Sequence, residues 1–136
     1  MADIKEEVRN GRIISKEVVE KAAEELAKKR NEKLTKEVMH ITIDAEYERK
    51  RALLDLQQNR EKEDPIKACL KAKEQNENDV KAGKITPEEF RVRNREAEVE
   101  RQNKLYAIDS EFATLRNQLR EQCYSILNDE ELFNLE

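Results

Sequence analysis

The chain has no tryptophan, one histidine, and only two residues each of glycine, proline and cysteine. Two isolated glycines cannot build a phosphate-cradling loop or a dinucleotide-binding turn, each of which needs several close together. Cys69 and Cys123 belong to no CxxC pair, so they read as small apolar residues on helix faces in a reducing compartment. With a single histidine, a serine or cysteine nucleophile lacks an assembled base and oxyanion donor. No apolar run reaches membrane-spanning length, and the opening MADIKEEVRNGR has no apolar leader core. These absences point away from an enzyme and from a resident cofactor, metal or membrane contact. They place the protein in the cytoplasm, or in a larger particle assembled from it.

Charge and helix formers are what the chain has in quantity. Charged residues make up 43% of its 136 positions, and mean hydropathy is -1.02. Such a composition suits long helices, with disorder as the competing reading. Lys and Arg (27) nearly balance Asp and Glu (31), and apolar residues recur at helical spacing. Net repulsion is therefore small and ordered helices are expected. The final nine residues, NDEELFNLE, hold four acids and no base, which accounts for the whole net charge of -4. Nothing in this balance provides the basic footprint that drives phosphate binding.

The clearest local signal is AGKITPEEF, residues 82–90. Gly83 can close a helix in the left-handed conformation, and Thr86 can cap the next one, with Pro87 at its first position. Glu89 completes a capping box, and Ile85 and Phe90 hold hydrophobic-staple positions. A helix–turn–helix corner is expected there. Other helices are expected at about 15–38, 44–63, 65–82 and 87–127, with Ser15 and Asp64-Pro65 as starts. A short helix at Asp3 should end at Asn10-Gly11. MHITID, 39–44, is ambiguous between helix and strand, because Ile41-Thr42-Ile43 is β-branched. With no second strand-like segment, a continuous or kinked helix through it is favoured.

Leu105, Ile108, Phe112, Leu115, Leu119 and Ile126 follow three–four spacing and form a coiled-coil-like stripe over three heptads. A helix over 87–127 would be about 60 Å long. Folding the chain about Lys84 and Ile85 makes antiparallel partners sum to about 169, which sets Phe112 near Gln57, Leu115 near Leu54 and Ile126 near Ile43. The same folding sets Ile66, Cys69, Leu70 and Val80 against Phe90, Val92, Ala97 and Val99. Ile14 and Val19 have staple spacing, and Val18, Val19 and Leu26 give the N-terminal helix an apolar face without an assigned partner. The expected architecture is all-α: an elongated hairpin or bundle in one domain, 1–127, followed by an acidic–apolar tail, 128–136. A sparse core favours homo-oligomers built on these stripes.

Chemistry-bearing motifs are few. Glu37-Val38-Met39-His40 matches the Glu-x-x-His unit of di-iron bundles, which use it twice, whereas this chain has it once. His40 and Asp44 at i, i+4 could chelate a metal, a spacing common by chance. Asn94-Arg95 followed by Ala97 resembles the start of a basic-leucine-zipper motif. Glu98, however, stands where that family keeps a second small residue, and residues 91–104 carry five basic against three acidic side chains. A helical nucleic-acid-associated dimer is thus the second reading. The first is a non-enzymatic structural or assembly protein acting on protein partners, of the kind found among scaffolds, virion components, chaperones and adaptors. In that reading Leu132, Phe133 and Leu135 form a docking anchor of the helix-in-groove type.

Overall fold

In a computed structural model, residues 3–11, 15–31 and 33–128 are described, the side chains of 127 and 128 excepted. Each helix begins at an oxygen-bearing side chain that accepts from an otherwise unpaired N–H group. Asp3 accepts from the Lys5 amide (3.2 Å) at the start of α1, Ile4–Arg9, and Ser15 from Val18 (3.2 Å) at the start of α2, Lys16–Lys29. Thr35 accepts from Val38 (3.3 Å) for α3, Lys36–Lys81, and Thr86 from Glu89 (3.1 Å) for α4, Pro87–Tyr124. A 3-10 turn, Ser125–Asn128, follows. The protein is all-α, with no strand among the described residues.

The corner between α3 and α4 has the expected chemistry. Gly83 takes φ +73°, and the amides of Gly83 and Lys84 donate to the carbonyls of Val80 (3.2 Å) and Asp79 (2.9 Å). That is a Schellman closure. The Glu89 carboxylate reaches back to the Thr86 amide at 3.4 Å, completing the capping box, and Ile85 is buried. The Asn10-Gly11 end of α1 also forms, with Gly11 at φ +67°. The staple position of Ile14 lies outside the described residues.

Two helix boundaries differ from expectation, and the ambiguous stretch 39–44 takes the favoured helical form. Residues 30, 31 and 33–35 interrupt what reads as continuous helix in the sequence. Asn31 takes φ +56°, its amide donates to Lys28 O, and α3 restarts at the Thr35 cap. Asparagine tolerates the left-handed region through local hydrogen bonding, so Asn31 can do what glycine usually does. Residues 39–44 are helical: Thr42 Oγ1 donates to Val38 O at 2.8 Å, the bond a helical threonine offers, while Met39 and Ile43 are fully buried. Asp64-Pro65 starts nothing; Pro65 sits inside α3. An interior proline costs about 3 kcal/mol of helix propensity. Here the ring is buried beside Ala68, Cys69 and Ala72, and it lines with Ala97 and Arg101 of α4 a cavity of about 50 Å³. Burial against the partner helix offsets the local penalty.

The chain divides into two compact units. Met1–Asp55 with Ala113–Glu136 form one, and Leu56–Phe112 the other. The first holds most of the apolar core: Val8, Val19, Ala23, Ala27, Val38, Met39, Ile43, Leu54, Leu115, Leu119 and Cys123. Val19, Ala23 and Ala27 lie four apart, so one face of α2 is buried. Arg116 donates from Nε (3.0 Å) and Nη2 (2.7 Å) to Asp55 Oδ1, and Gln122 donates to the Val8 carbonyl at 2.5 Å. The second unit is a hairpin whose buried apolar residues are Pro65, Cys69, Ile85 and Phe112. Polar rungs join its helices: Gln58 to Asp109 (2.7 Å), Lys62 to Asp109 (2.9 Å), Lys73 to Glu98, and Asn76 to Asn94 (3.0 Å). These rungs, and the Arg116–Asp55 pair of the first unit, fall within two of the expected sum.

On α4, Phe112, Leu115 and Leu119 are buried at the three–four spacing read in the sequence; a longer interval recurs beside it. On α3, Ile43, Leu54, Pro65 and Asn76 are buried at intervals of eleven; on α4, Phe112 and Cys123 are buried with the same interval. Eleven residues over three turns give about 3.67 per turn, nearer the 3.6 of an unsupercoiled helix than the 3.5 of a heptad. Leu54→Ala should cost about 2–5 kcal/mol, whereas the neighbouring, 43%-exposed Leu53→Ala should stay within about 0.5 kcal/mol. Urea midpoints of the two variants check this; equal losses would mean that α3 presents a different face.

Candidate functional site

In the first unit, α3 carries His40, Asp44 and Tyr47 at i, i+4 and i+7, and Tyr124 of α4 meets them. The Tyr124 hydroxyl donates to Asp44 Oδ1, while Asp44 Oδ2 lies 3.0 Å from His40 Nδ1. The Tyr124 ring is tilted 53° to His40 at 5.9 Å and 58° to Tyr47 at 5.7 Å, separations usual for tilted aromatic pairs. One carboxylate thus fastens the last turn of α4 to the first turns of α3. The hydrogen bond to Asp44 favours the neutral phenol, and with some burial it pushes Tyr124 up to about 12. The neighbouring Cys123 thiol is fully buried, and desolvation, then the Glu46 charge, raises it to about 11. A thiol so held is protonated at neutral pH and a poor nucleophile.

These groups hold two helices together through protons. Among the described residues no group of three or more histidine, cysteine, aspartate or glutamate side chains is placed to hold a metal ion. The Glu37-x-x-His40 unit points its histidine at Asp44, and the i, i+4 pair His40–Asp44 is a hydrogen-bonded pair on the surface, with side chains 54% and 46% exposed. No helix among the described residues is long and apolar enough to cross a membrane.

Of the stripe singled out in the sequence, Phe112, Leu115 and Leu119 are buried within the chain, and Leu105, Ile108 and Ile126 are partly buried. Val19 is fully buried and Leu26 partly; Val18 is 58% exposed. Leu26, with Ala22 of α2, borders a shallow groove against Ile41 and Ala45 of α3. Leu132, Phe133 and Leu135 lie outside the described residues.

The stem of the hairpin departs from the expected pairing. Ile66, Leu70, Val92 and Val99 do not oppose one another; all four are exposed, as is Tyr106. The inner face of α4 instead carries Phe90, Asn94, Ala97 and Arg101, continuing the spacing of Leu105, Ile108 and Phe112 toward the corner. That spacing is present in the sequence, but Asn94 and Arg101 hide it, because a search for apolar residues passes over them. Glu98 lies beside Lys73, whose hydrogen bond and charge hold its carboxyl below the usual range.

No protein-family model, curated protein or solved structure matches this chain.

A raised phenol pKa contributes stability that is complete below the unfolded value of 10.0 and lost as pH climbs toward about 12. Tyr124→Phe should therefore lower the urea midpoint at pH 9, with the difference from the parent shrinking by pH 11.5. Tyrosinate absorbance of the variant should lack the component ionising near pH 12. An unchanged gap across that range would mean that Asp44 does not hold this hydroxyl.

Proposed function

We propose that this is a non-enzymatic structural or assembly protein that acts through helix–helix contacts with other proteins, with the acidic segment 128–136 as a docking element. What supports this is the placement of its apolar side chains. The core of the hairpin unit uses few, while Ile66 and Leu70 on α3 and Val92, Val99 and Tyr106 on α4 stand 38–76% exposed. Large apolar side chains held out of a thin core at helical spacing are what a partner helix would cover. The composition is that of scaffold, adaptor, chaperone and virion assembly components, with a phage or bacterial particle as the setting. This last step is an analogy of composition.

In this reading Leu132, Phe133 and Leu135 meet another protein. A photo-crosslinking residue in place of Phe133, in the cell that makes the protein, should join it to a second polypeptide. A chain ending at Leu127 should keep its helicity and melt within about 2 °C of the full chain, a shift well under 1 kcal/mol for a domain this size. Crosslinks confined to the chain itself, together with a large drop in melting temperature, would make the segment part of the core and overturn the docking role.

A further inference from the structure

Val92, Val99 and Tyr106 recur every seven residues on α4 and are 52%, 48% and 76% exposed. Each lies two residues before a position on the inner face (Asn94, Arg101, Ile108), which is about 200° around the helix, so the row points away from α3. Between them, Glu96, Asn103 and Ser110 complete an alternation of four and three, and Glu96 and Asn103 border the groove beside Val99. The outer row keeps a period of seven, as do the inner positions Asn94, Arg101 and Ile108 that it parallels; what sets it apart is its exposure. A strict seven is the period at which two helices stay in contact along a left-handed seam.

We propose that this outer row, from Glu88 to Ser110, is the seam on which two copies of the chain pair, parallel and in register. The inference rests on the reading of the protein as one that works through helix–helix contacts, and it names one such partner. In heptad terms Val92, Val99 and Tyr106 are d positions, and Glu96, Asn103 and Ser110 are a positions. Parallel pairing stacks each apolar residue on its own copy. Antiparallel pairing would set each of them against a polar a residue, which is the weaker arrangement.

Charge selects the same arrangement. In a parallel pair each g residue faces the e residue five positions on in the other chain. Glu88 then meets Arg93 of the second copy, and Arg95 meets Glu100, and each pairing occurs twice by symmetry. Asn103 falls at an a position, where a single asparagine fixes register and two-stranded state at some expense of affinity. Glu96 opposes its own copy and weakens the pair. The seam also answers the thin core of the hairpin unit, since a two-helix hairpin with so few buried apolar residues gains from covering its outer face.

Light scattering and sedimentation equilibrium across a concentration series test the proposal on the full chain. The protein should dimerise. Glu96→Leu should tighten the dimer by about tenfold or more, and Arg95→Glu should loosen it by a similar factor. Adding Glu100→Arg to Arg95→Glu should restore it. All these side chains are exposed or border surface grooves, so helicity should be unchanged and serves as the folding control. Asn103→Cys should oxidise to a disulfide-linked dimer, which requires parallel strands in register. A chain that stays monomeric with and without Glu96→Leu overturns the seam, as does a dimer indifferent to the charge swap. A dimer that swaps as expected but forms no disulfide at 103 overturns the parallel register. A monomer that still crosslinks through position 133 sinks the seam alone; a dimer without that crosslink sinks only the docking segment.

Discussion

The register between α3 and α4 is the constraint on which the rest depends. It is set at the corner, where Gly83 in the left-handed region ends one helix and the reciprocal Thr86–Glu89 box begins the next. Five residues separate the helices, too few for the pairing to slip by a turn. Asn76 then meets Asn94 near the corner, and Arg116 meets Asp55 in the other unit, as that register requires. Leu54 and Leu115, whose positions sum to the expected 169, are both buried in the first unit.

The two units solve the same pairing with different forces. Residues of α1 and α2 give the first unit a third side, and its core is accordingly apolar, with Val8, Val19, Met39 and Leu119 fully buried. The hairpin has two helices only, and two cylinders can bury no more than a narrow strip of each other. Polar rungs occupy much of that strip. Exposed or half-exposed pairs of this kind contribute about 0–1 kcal/mol each, so they specify register better than they stabilise it. The apolar residues that could stabilise the hairpin face outward, and the proposed self-pairing seam is built on three of them.

Helix periodicity links the two observations. On α3, Ile43, Leu54, Pro65 and Asn76 are buried at intervals of eleven, close to the repeat of a straight helix. Pro65 fits this pattern as one of the inward positions, so its ring is shielded and its missing N–H is tolerated inside a helix of 46 residues. On the far side of α4, Val92, Val99 and Tyr106 recur every seven residues, each two positions before an inner residue.

Local signals determined much of this protein by themselves. The caps at Asp3, Ser15 and Thr86, the glycine closures at Gly11 and Gly83, the all-α class and the hairpin register all follow from short-range chemistry and residue spacing. These act within a turn or two of the chain, so neighbouring residues suffice to read them. Tertiary structure decided what depends on a distant partner. Pro65, and Thr42 and Ile43 of the β-branched run, remain helical where they are buried, and burial outweighs a local preference. Asn31 ends α2 where the helix formers around it would have continued. The direction in which Val92 and Val99 point was decided by which face of α4 meets α3, and Asn94 and Arg101 concealed that face. A polar residue on an inward position looks the same in sequence as one in water; only the helix packed against it tells them apart.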